Sequence, residues 1–502
     1  MRRRDVNKIL LAYTAAHAAV PWVAGAQTCQ QGNYDATPEE TAAKVKIVDS
    51  SRCPGDWRRY GADPGGNTDS TAAIQAACNA NTLAFDETGG TYLVSARIMI
   101  PSGVTVRGAG VSATAITCSN GGTSIFMTSE ATGVTVERIK FNVTAESKQP
   151  YTAAVDFHKS TNCSCNDCEM VGCNWAGVFI YDSTNCTVEQ CYFHDFQGSV
   201  RDSADVCIYN RSHHNTVKNN RCFGGNWHGV SIEDPYNNSL PSNNVVANNA
   251  VGLHQAYGLM VYVPTAGDTF NQLSGNSVEN IQGSVLGNNS GAGIYVVGAG
   301  AGGTTVADNT VRNCCVQTTQ HTLAPAGIGI AGISQSAAPV KVTGNTVLEM
   351  RAHDAILVVS CKGGHVTVSG NTATLPPGNS AGTPIRIEAS SNVNVTGNSA
   401  SRAQETNGRC IFVYANAIAI SNISVVGNTC FGGKYAQIEF FSTAGGSIAD
   451  VVCTNNNCQG VGLNPNCVRL VGVTNASVSG NKCLATLSRA TPPRFRIDAI
   501  QG

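Results

Sequence analysis

Short apolar runs of three to six residues recur along this chain, separated by turns and with no amphipathic helical stretch between them. The turns are marked by Asn, commonly as Gly-Asn before Thr or Ser, at Asn220, Asn249, Asn276, Asn309, Asn345, Asn371, Asn398, Asn428, Asn456 and Asn481, 25 to 36 residues apart. A recurring period of this length signifies stacked coils. Each period holds two or three strand-like runs, such as Val340 to Val342 and Val366 to Val368. One strand cannot bury its own face, so the coils must stack and pair edge to edge at ~4.8 Å per rung. An Asn at one repeated turn position would bond its neighbours above and below and satisfy turn backbone groups. The pattern predicts an all-β protein, a right-handed single-stranded parallel β-helix over 119–484, followed by a tail over 485–502.

Composition agrees. Gly supplies 53 of 502 residues and charged residues only 13%, which suits tight turns and a dry tubular core in one long domain. A net charge of −1 removes any broad electrostatic case for nucleic acid or a membrane surface as partner. The N-terminus reads as an address. Arg2-Arg3-Arg4 precedes an apolar run from Ile9 to Val23, and Ala24-Gly25-Ala26 supplies small residues for cleavage, so 1–26 is expected to be a removed signal peptide. Its start resembles a twin-arginine signal, with Arg3-Arg4 as the pair and Asn7 where an apolar residue is usual. The mature chain is expected in the periplasm or outside a bacterium, with no membrane contact after cleavage.

The 21 cysteines are read first as core residues. Cys430, Cys458 and Cys483 follow the repeat Asn by two positions, where Val311, Val347, Ala373 and Ala400 stand in other coils, so they are expected to face inward as small hydrophobes. Cys163 with Cys186, and Cys168 with Cys191, are 23 apart and would stack as thiols or bridges. Stacking also accounts for Cys165 and Cys173 without zinc, and no metal site is expected.

Ahead of the coils, 27–118 reads as an N-terminal segment and cap. Tyr60-Gly61-Ala62-Asp63-Pro64 leads through Asp69-Ser70 into an amphipathic helix from Thr71. Gly89-Gly90-Thr91-Tyr92 and Ile100-Pro101-Ser102-Gly103-Val104-Thr105-Val106-Arg107-Gly108-Ala109-Gly110 follow. This stretch resembles the N-terminal region of the pectate-lyase-like superfamily, whose relatives include rhamnogalacturonases, polygalacturonases, tailspike depolymerases and alginate epimerases. The resemblance implies the β-helix, a plug for its open end, and action on polysaccharide.

Aligning the strand after each turn sets Val155-Asp156-Phe157-His158 beside Val178 to Tyr181, Val206 to Tyr209, Val230 to Glu233 and Leu259 to Tyr262. With Val and Ile inward, one exposed column reads His158, Tyr181, Tyr209, Glu233, Tyr262. Such rings beside an acid suit sugar stacking and proton transfer, although a tyrosine ladder also simply stabilises strands. The longer turns at Phe141 to Tyr151, Phe193 to Asp205 and Asp234 to Asn243 would wall a groove along that column.

Cys222 to Ile232 resembles the Cys-x-Gly-Gly-His-Gly-x-Ser-Ile stretch of polygalacturonases, and Asp205-Val206-Cys207 their Asp-Asp-Cys. The resemblance implies Asp205 as proton donor and His228 in the groove. Ala176 and Val206 stand where that family has aspartates, and Met260 and Tyr262 where it has Arg and Lys. Asp234-Pro235 is similar to the Asp-Pro of alginate epimerases, with Tyr236-Asn237 after it.

The sequence thus nominates Asp205, His228, Glu233 and Asp234 for chemistry, and His158, Tyr181, Tyr209, Arg211 and Tyr262 for substrate binding. The reading is glycosidic cleavage of a polysaccharide, hydrolysis ahead of elimination. An epimerase and a non-catalytic carbohydrate-binding adhesin are the alternatives. No cofactor is expected, a lyase bringing calcium into consideration, and a homotrimer is left open. Failing these residues, the chemistry would fall to His353, Asp354, Arg386 and Glu388 on later coils.

Overall fold

A computed structural model describes residues 32–118, 122–144, 151–173, 175–196, 203–225, 227–234, 236–282, 291–314, 326–350, 353–379, 382–402, 408–432, 436–460, 466–485 and 494–497. Residues 1–26, expected from the sequence to be a signal peptide, lie outside them. Three parallel sheets run the length of the solenoid, each of 15 strands. Every strand pairs with the strand three further along the chain. The first sheet begins at Leu83–Phe85, the second at Gly90–Val94 and the third at Ile98–Met99. The last strand of the third sheet is Arg494–Ile497, so coils extend beyond 119–484 at both ends.

The strands of the first two sheets are mostly three to five residues long, with the apolar residue inward, as in Thr187–Glu189 and Thr216–Lys218. One continuous core of Val, Ile, Leu, Phe, Ala and Cys fills the tube. The helix Thr71–Ala80 buries Ala73, Ile74, Ala77 and Cys78 and touches the first strands of the first and third sheets. Its Gln75 amide donates to Met99 O and accepts from Met99 N, both at 2.7 Å. A side-chain amide thus takes the place of a missing strand at the sheet edge, which would otherwise present unpaired backbone to water.

The repeat Asn residues form the expected ladder. Asn249 Oδ1 accepts from the backbone and side-chain nitrogens of Asn220 at 3.0 Å each. Its Nδ2 donates to Val217 O at 2.9 Å and to Asn276 Oδ1 at 3.0 Å. The same pattern runs on to Asn481. A second, shorter ladder, Asn215, Asn244 and Asn271, lines the neighbouring turn. Cysteines take these positions on the preceding coils: the backbone N–H of Cys186 goes to Asn215 Oδ1 and that of Cys191 to Asn220 Oδ1. Cys163, Cys165, Cys168, Cys186 and Cys191 are buried free thiols. Cys430 and Cys458 are likewise in the core, whereas Cys483 is bonded to Cys467.

Asn276→Ala would strip partners from Asn249, Val246 and Asn309 at once, so the loss should be ~2–4 kcal/mol. Asn394→Ala on the exposed face should stay within ~0.5 kcal/mol. Urea unfolding followed by far-ultraviolet circular dichroism measures both.

Candidate functional site

The third sheet carries the six-residue strands Ala153–His158, Ala176–Tyr181, Ala204–Tyr209, His228–Glu233, Tyr257–Tyr262, Ala292–Val297, Ala326–Ala331 and Asp354–Val359. Their rungs pair the first residues, and then the third to sixth. Simple alternation fails at the second residue. Ala154 and Val155 both lie in the core, as do Ala355 and Ile356. The first, fourth and sixth residues face outward: Ala153, Ala176, Phe179, Ala204, Cys207 and Tyr209 form a separate cluster with Trp175.

Because the second residue points inward, it is small on most coils. A Cβ on Gly177 would stand 2.5 Å from the Phe193 ring, and one on Gly229 2.4 Å from Val251 Cγ1. Asp205 occupies this position on its own coil and is 1% exposed. The corresponding core residue of that coil is Cys222, which pairs between Phe193 and Val251 and is small enough to admit it. Asp205 Oδ2 stands 3.4 Å from His254 Nε2, itself fully buried. Asp205 therefore sits inside the tube rather than in a groove, which corrects its expected position.

Asp234 is also placed otherwise than expected. It is fully buried, accepts from Ser239 Oγ at 2.7 Å, from Ser239 N at 3.2 Å and from Asn238 N at 3.3 Å, and receives the Thr265 hydroxyl. All of these bonds tie down the turn after the strand.

The remaining nominated residues, apart from Arg211, share the outward face. His158 stacks on Tyr181 at 4.7 Å between centroids and 11° between planes. Burial first, then Lys159, holds the His158 pKa below its ordinary value. Tyr209 donates to Glu233 Oε2 at 3.2 Å, and both are nearly buried, at 2% and 4% exposed. Tyr262 pairs on the rung after Glu233. Arg211 is exposed in the turn after Tyr209, its backbone N–H bonded to Asp182 Oδ1 at 3.1 Å. His228 stacks on Tyr257 at 5.1 Å, and Tyr257 on Tyr295 at 4.9 Å. Burial, then His254, pushes His228 down to about 3, so its imidazole is neutral at physiological pH. Its Nδ1 has no hydrogen-bond partner among the described residues, and neither has the hydroxyl of Ser231 on the same strand. The turns Phe141 to Tyr151 and Phe193 to Asp205 lie partly outside the described residues. Tyr151 and Trp175 pack over the rings of Phe179 and Tyr209.

Asp156 was not singled out by the sequence, although it lies in the fourth, outward position. Burial pushes its carboxyl up to about 7 against a bond from Ser124 Oγ, and its Oδ1 has no hydrogen-bond partner among the described residues. Among the described residues no group of three or more His, Cys, Asp or Glu side chains is placed to hold a metal ion, and no helix is long and apolar enough to cross a membrane.

Residues 86–282, less than half the chain, match the family model described as periplasmic copper-binding protein (NosD). No curated protein matches the chain. Among solved structures, a tailspike protein mutant of E. coli bacteriophage HK620 in complex with a pentasaccharide is similar at a TM-score of 0.51 and 14% identity, over 81% of this chain and 75% of that one. The catalytic unit of a GH87 alpha-1,3-glucanase from Streptomyces thermodiastaticus strain HF3-3 gives 0.47 at 16% identity, over 82% and 70%. The A-module of the Azotobacter vinelandii mannuronan C-5 epimerase AlgE6 gives 0.38 at 16% identity, over 88% and 97%. The tailspike likeness supports the parallel β-helix fold alone.

The buried carboxyl of Asp205 generates a pH test. Burial raises its pKa well above the ordinary value, so the folded chain holds this proton more tightly than the unfolded one. That contribution is fully present below ~3.9, the unfolded value, and is lost as pH rises through the folded one. Between pH ~4 and ~8 the wild type should lose stability relative to Asp205→Asn, which has no such proton to release. Urea midpoints at both ends of that range measure the difference, and parallel curves would place Asp205 in solvent.

Proposed function

We propose that this chain is an exported enzyme acting on polysaccharide, with the glycan lying along the outward face of the third sheet and proton transfer at Tyr209 and Glu233. The observation that carries the reading is the hydrogen bond from the Tyr209 hydroxyl to the nearly buried Glu233 carboxyl, on a face whose neighbouring rungs present His158, Tyr181 and Tyr262. Flat rings and an acid with a hydroxyl partner suit sugar binding and proton transfer.

The geometry favours elimination or epimerisation over hydrolysis at this centre. Inverting hydrolysis places its two carboxyls ~6.5–9.5 Å apart, and the retaining mechanism closer still. Asp205 is inside the tube and Asp234 is engaged by its turn. Asp156 is three rungs and two residues from Glu233, ~16 Å, and Asp182 is two rungs and one residue away, ~10 Å. A uronate needs only one base at the carbon beside its carboxylate. Glu233 takes that proton, and in elimination the C4–O bond breaks as the C4–C5 double bond forms, the leaving oxygen taking the proton of the Tyr209 hydroxyl. Arg211 offers the positive charge for the carboxylate, whereas His228, five residues from Glu233 on the same extended strand, lies ~16 Å away along it and outside this centre.

The family model's description names copper. The described residues do not fit such a site: no ligand cluster is present, and the free thiols are buried in the core. No step here runs through a metal. Export rests on the basic and apolar N-terminal residues Arg3, Arg4 and Ile9 to Val23, and Arg3→Lys with Arg4→Lys should leave an uncleaved cytoplasmic precursor if the twin-arginine route is used. Normal trimming of that variant, read by mass, would leave general secretion.

Alginate and polygalacturonate, assayed for the ultraviolet absorbance of unsaturated uronate ends and for C5 proton exchange, test the reaction. Glu233→Gln and Tyr209→Phe should each lower turnover at least ~100-fold with folding intact. Tyr181→Ala and Tyr262→Ala should weaken binding by ~1–2 kcal/mol with a smaller loss in turnover. Full activity in Glu233→Gln would remove this centre from the chemistry.

A further inference from the structure

Four rungs beyond the strand His228–Glu233, ~19 Å along the axis, the same outward face carries a second group of ionisable side chains. Asp354 opens the strand Asp354–Val359 at the first, outward position, where Ala153, Ala176, Ala204, Ala292 and Ala326 stand on other coils. It is 6% exposed. Its Oδ1 accepts from Thr383 N at 2.6 Å, and its Oδ2 stands 3.8 Å from Arg386 Nη1. The other end of the same guanidinium holds Glu388 Oε2 at 2.6 Å. Arg386 also lies over the rings of Phe412 and Tyr414, at 5.9 and 5.8 Å, and its Nε has no hydrogen-bond partner among the described residues.

The surroundings are built to hold this arrangement. Asn379, 1% exposed, donates to Met350 O at 2.6 Å and His353 O at 3.0 Å and accepts from Gly382 N at 2.7 Å. The nearly buried Arg402 bonds Asn379 O at 2.9 Å and Gly382 O. These bonds fix the approach to Thr383, whose N–H in turn fixes Asp354. On the next coils Glu439 is gripped by Arg409 and Arg469, so its charge is already matched and does not compete for Arg386.

We infer that Asp354 and Glu388 form a glycoside-hydrolysing carboxyl pair, with Asp354 as proton donor, Glu388 as base and Arg386 as the residue that positions both. This goes beyond the Tyr209–Glu233 reading and does not depend on it. Both carboxyls reach one guanidinium, which keeps them within roughly 9 Å, inside the span that cooperating carboxyls use in glycoside cleavage. Their environments separate the roles. Burial pushes Asp354 up to about 6, Arg386 and the Thr383 N–H opposing it and Glu388 adding to it. Glu388 is the ion-paired carboxylate, its side chain 22% exposed. In the step, Glu388 takes a proton from water, the water oxygen bonds the anomeric carbon, the glycosidic C–O bond breaks and the leaving oxygen takes the Asp354 proton. The substrate class is a polysaccharide long enough to lie across several rungs of this face.

The product class separates this centre from the other. Both cleavages create a reducing end, but hydrolysis leaves a saturated sugar at the new non-reducing end, whereas elimination leaves an unsaturated one. With alginate, polygalacturonate, α-1,3-glucan and a bacterial O-antigen polysaccharide as probes, the wild type should form saturated non-reducing ends from at least one. Asp354→Asn and Glu388→Gln should each cut that formation at least ~100-fold, with circular dichroism reporting the fold. Arg386→Met removes the charge that holds the Asp354 pKa down, so Asp354 keeps its proton to higher pH and the basic limb of the rate profile should move upward. Arg402 and Glu388, the other charged groups facing Asp354, are retained in that variant. Saturated ends formed at the wild-type rate by Glu388→Gln, an unmoved basic limb in Arg386→Met, or no saturated ends from any of the four polymers would each overturn the assignment. Loss of the unsaturated product in Glu233→Gln bears only on the other centre. Should Asp354→Asn fail to fold, Glu388→Gln and Arg386→Met carry the test.

Discussion

Parallel pairing of each strand with its counterpart one coil away is the interaction on which everything else in this molecule depends. It sets like positions above one another at ~4.8 Å, so each position becomes a column whose members must suit one another. The inward columns are apolar because any polar group there loses water on every side. The Asn columns are polar because an amide, with two donors and two acceptor sites, can bond to the coil on either side and to a turn carbonyl at once. Asn249 uses all four. A ladder of this kind replaces the hydration that the turn backbone loses, and it locks the register from which the outward columns follow.

The architecture was legible because stacking forces repetition, and repetition shows as a period. The Asn ladder and the inward thiols at Cys163, Cys186, Cys168 and Cys191 come from that one constraint, whereas the helix Thr71–Ala80 shows through its own amphipathic pattern ahead of the coils. The site was less legible, because reading it needs the direction of each side chain within the strand. Strict alternation from Val206 and Ile208 cannot say where Asp205 points, since the second residue of these strands joins the third in facing the core. The warning lay in the residues themselves: Ala154, Gly177, Gly229, Gly258, Gly293, Gly327 and Ala355 are all small. Two consecutive inward residues leave no room for more, as the 2.5 Å approach of a Gly177 Cβ to Phe193 illustrates. Asp205 fits only because Cys222 is short where Phe193 and Val251 are bulky.

Asp234 failed for a different reason. An acid at the end of a strand and the start of a turn is as well suited to gathering turn donors as to chemistry, and only the three-dimensional path of the turn decides. Here Ser239 and Thr265 arrive to be bonded, which leaves the carboxyl no lone pair to offer a substrate. Glu233 differs in kind. It lies within a strand, faces outward, and has as its bonded partner a tyrosine hydroxyl that can itself exchange a proton.

A repeat protein supplies its own internal alignment, and a residue unlike the rest of its column is the feature that stacking alone does not explain. In the first outward position the column runs Ala153, Ala176, Ala204, His228, Tyr257, Ala292, Ala326, Asp354. In the second, inward position Asp205 is the departure. The direction of the side chain then sorts the departures. Asp205 turns into the core, where it meets His254 and a shortened neighbour, so the coil has adapted around it and its effect falls on stability. His228 and Asp354 turn outward, into a face where burial has shifted both of their pKa values. Burial that perturbs an ionisable group while leaving it on a face shared with aromatic rings favours neither stability nor solubility, which is the physical ground for placing chemistry there.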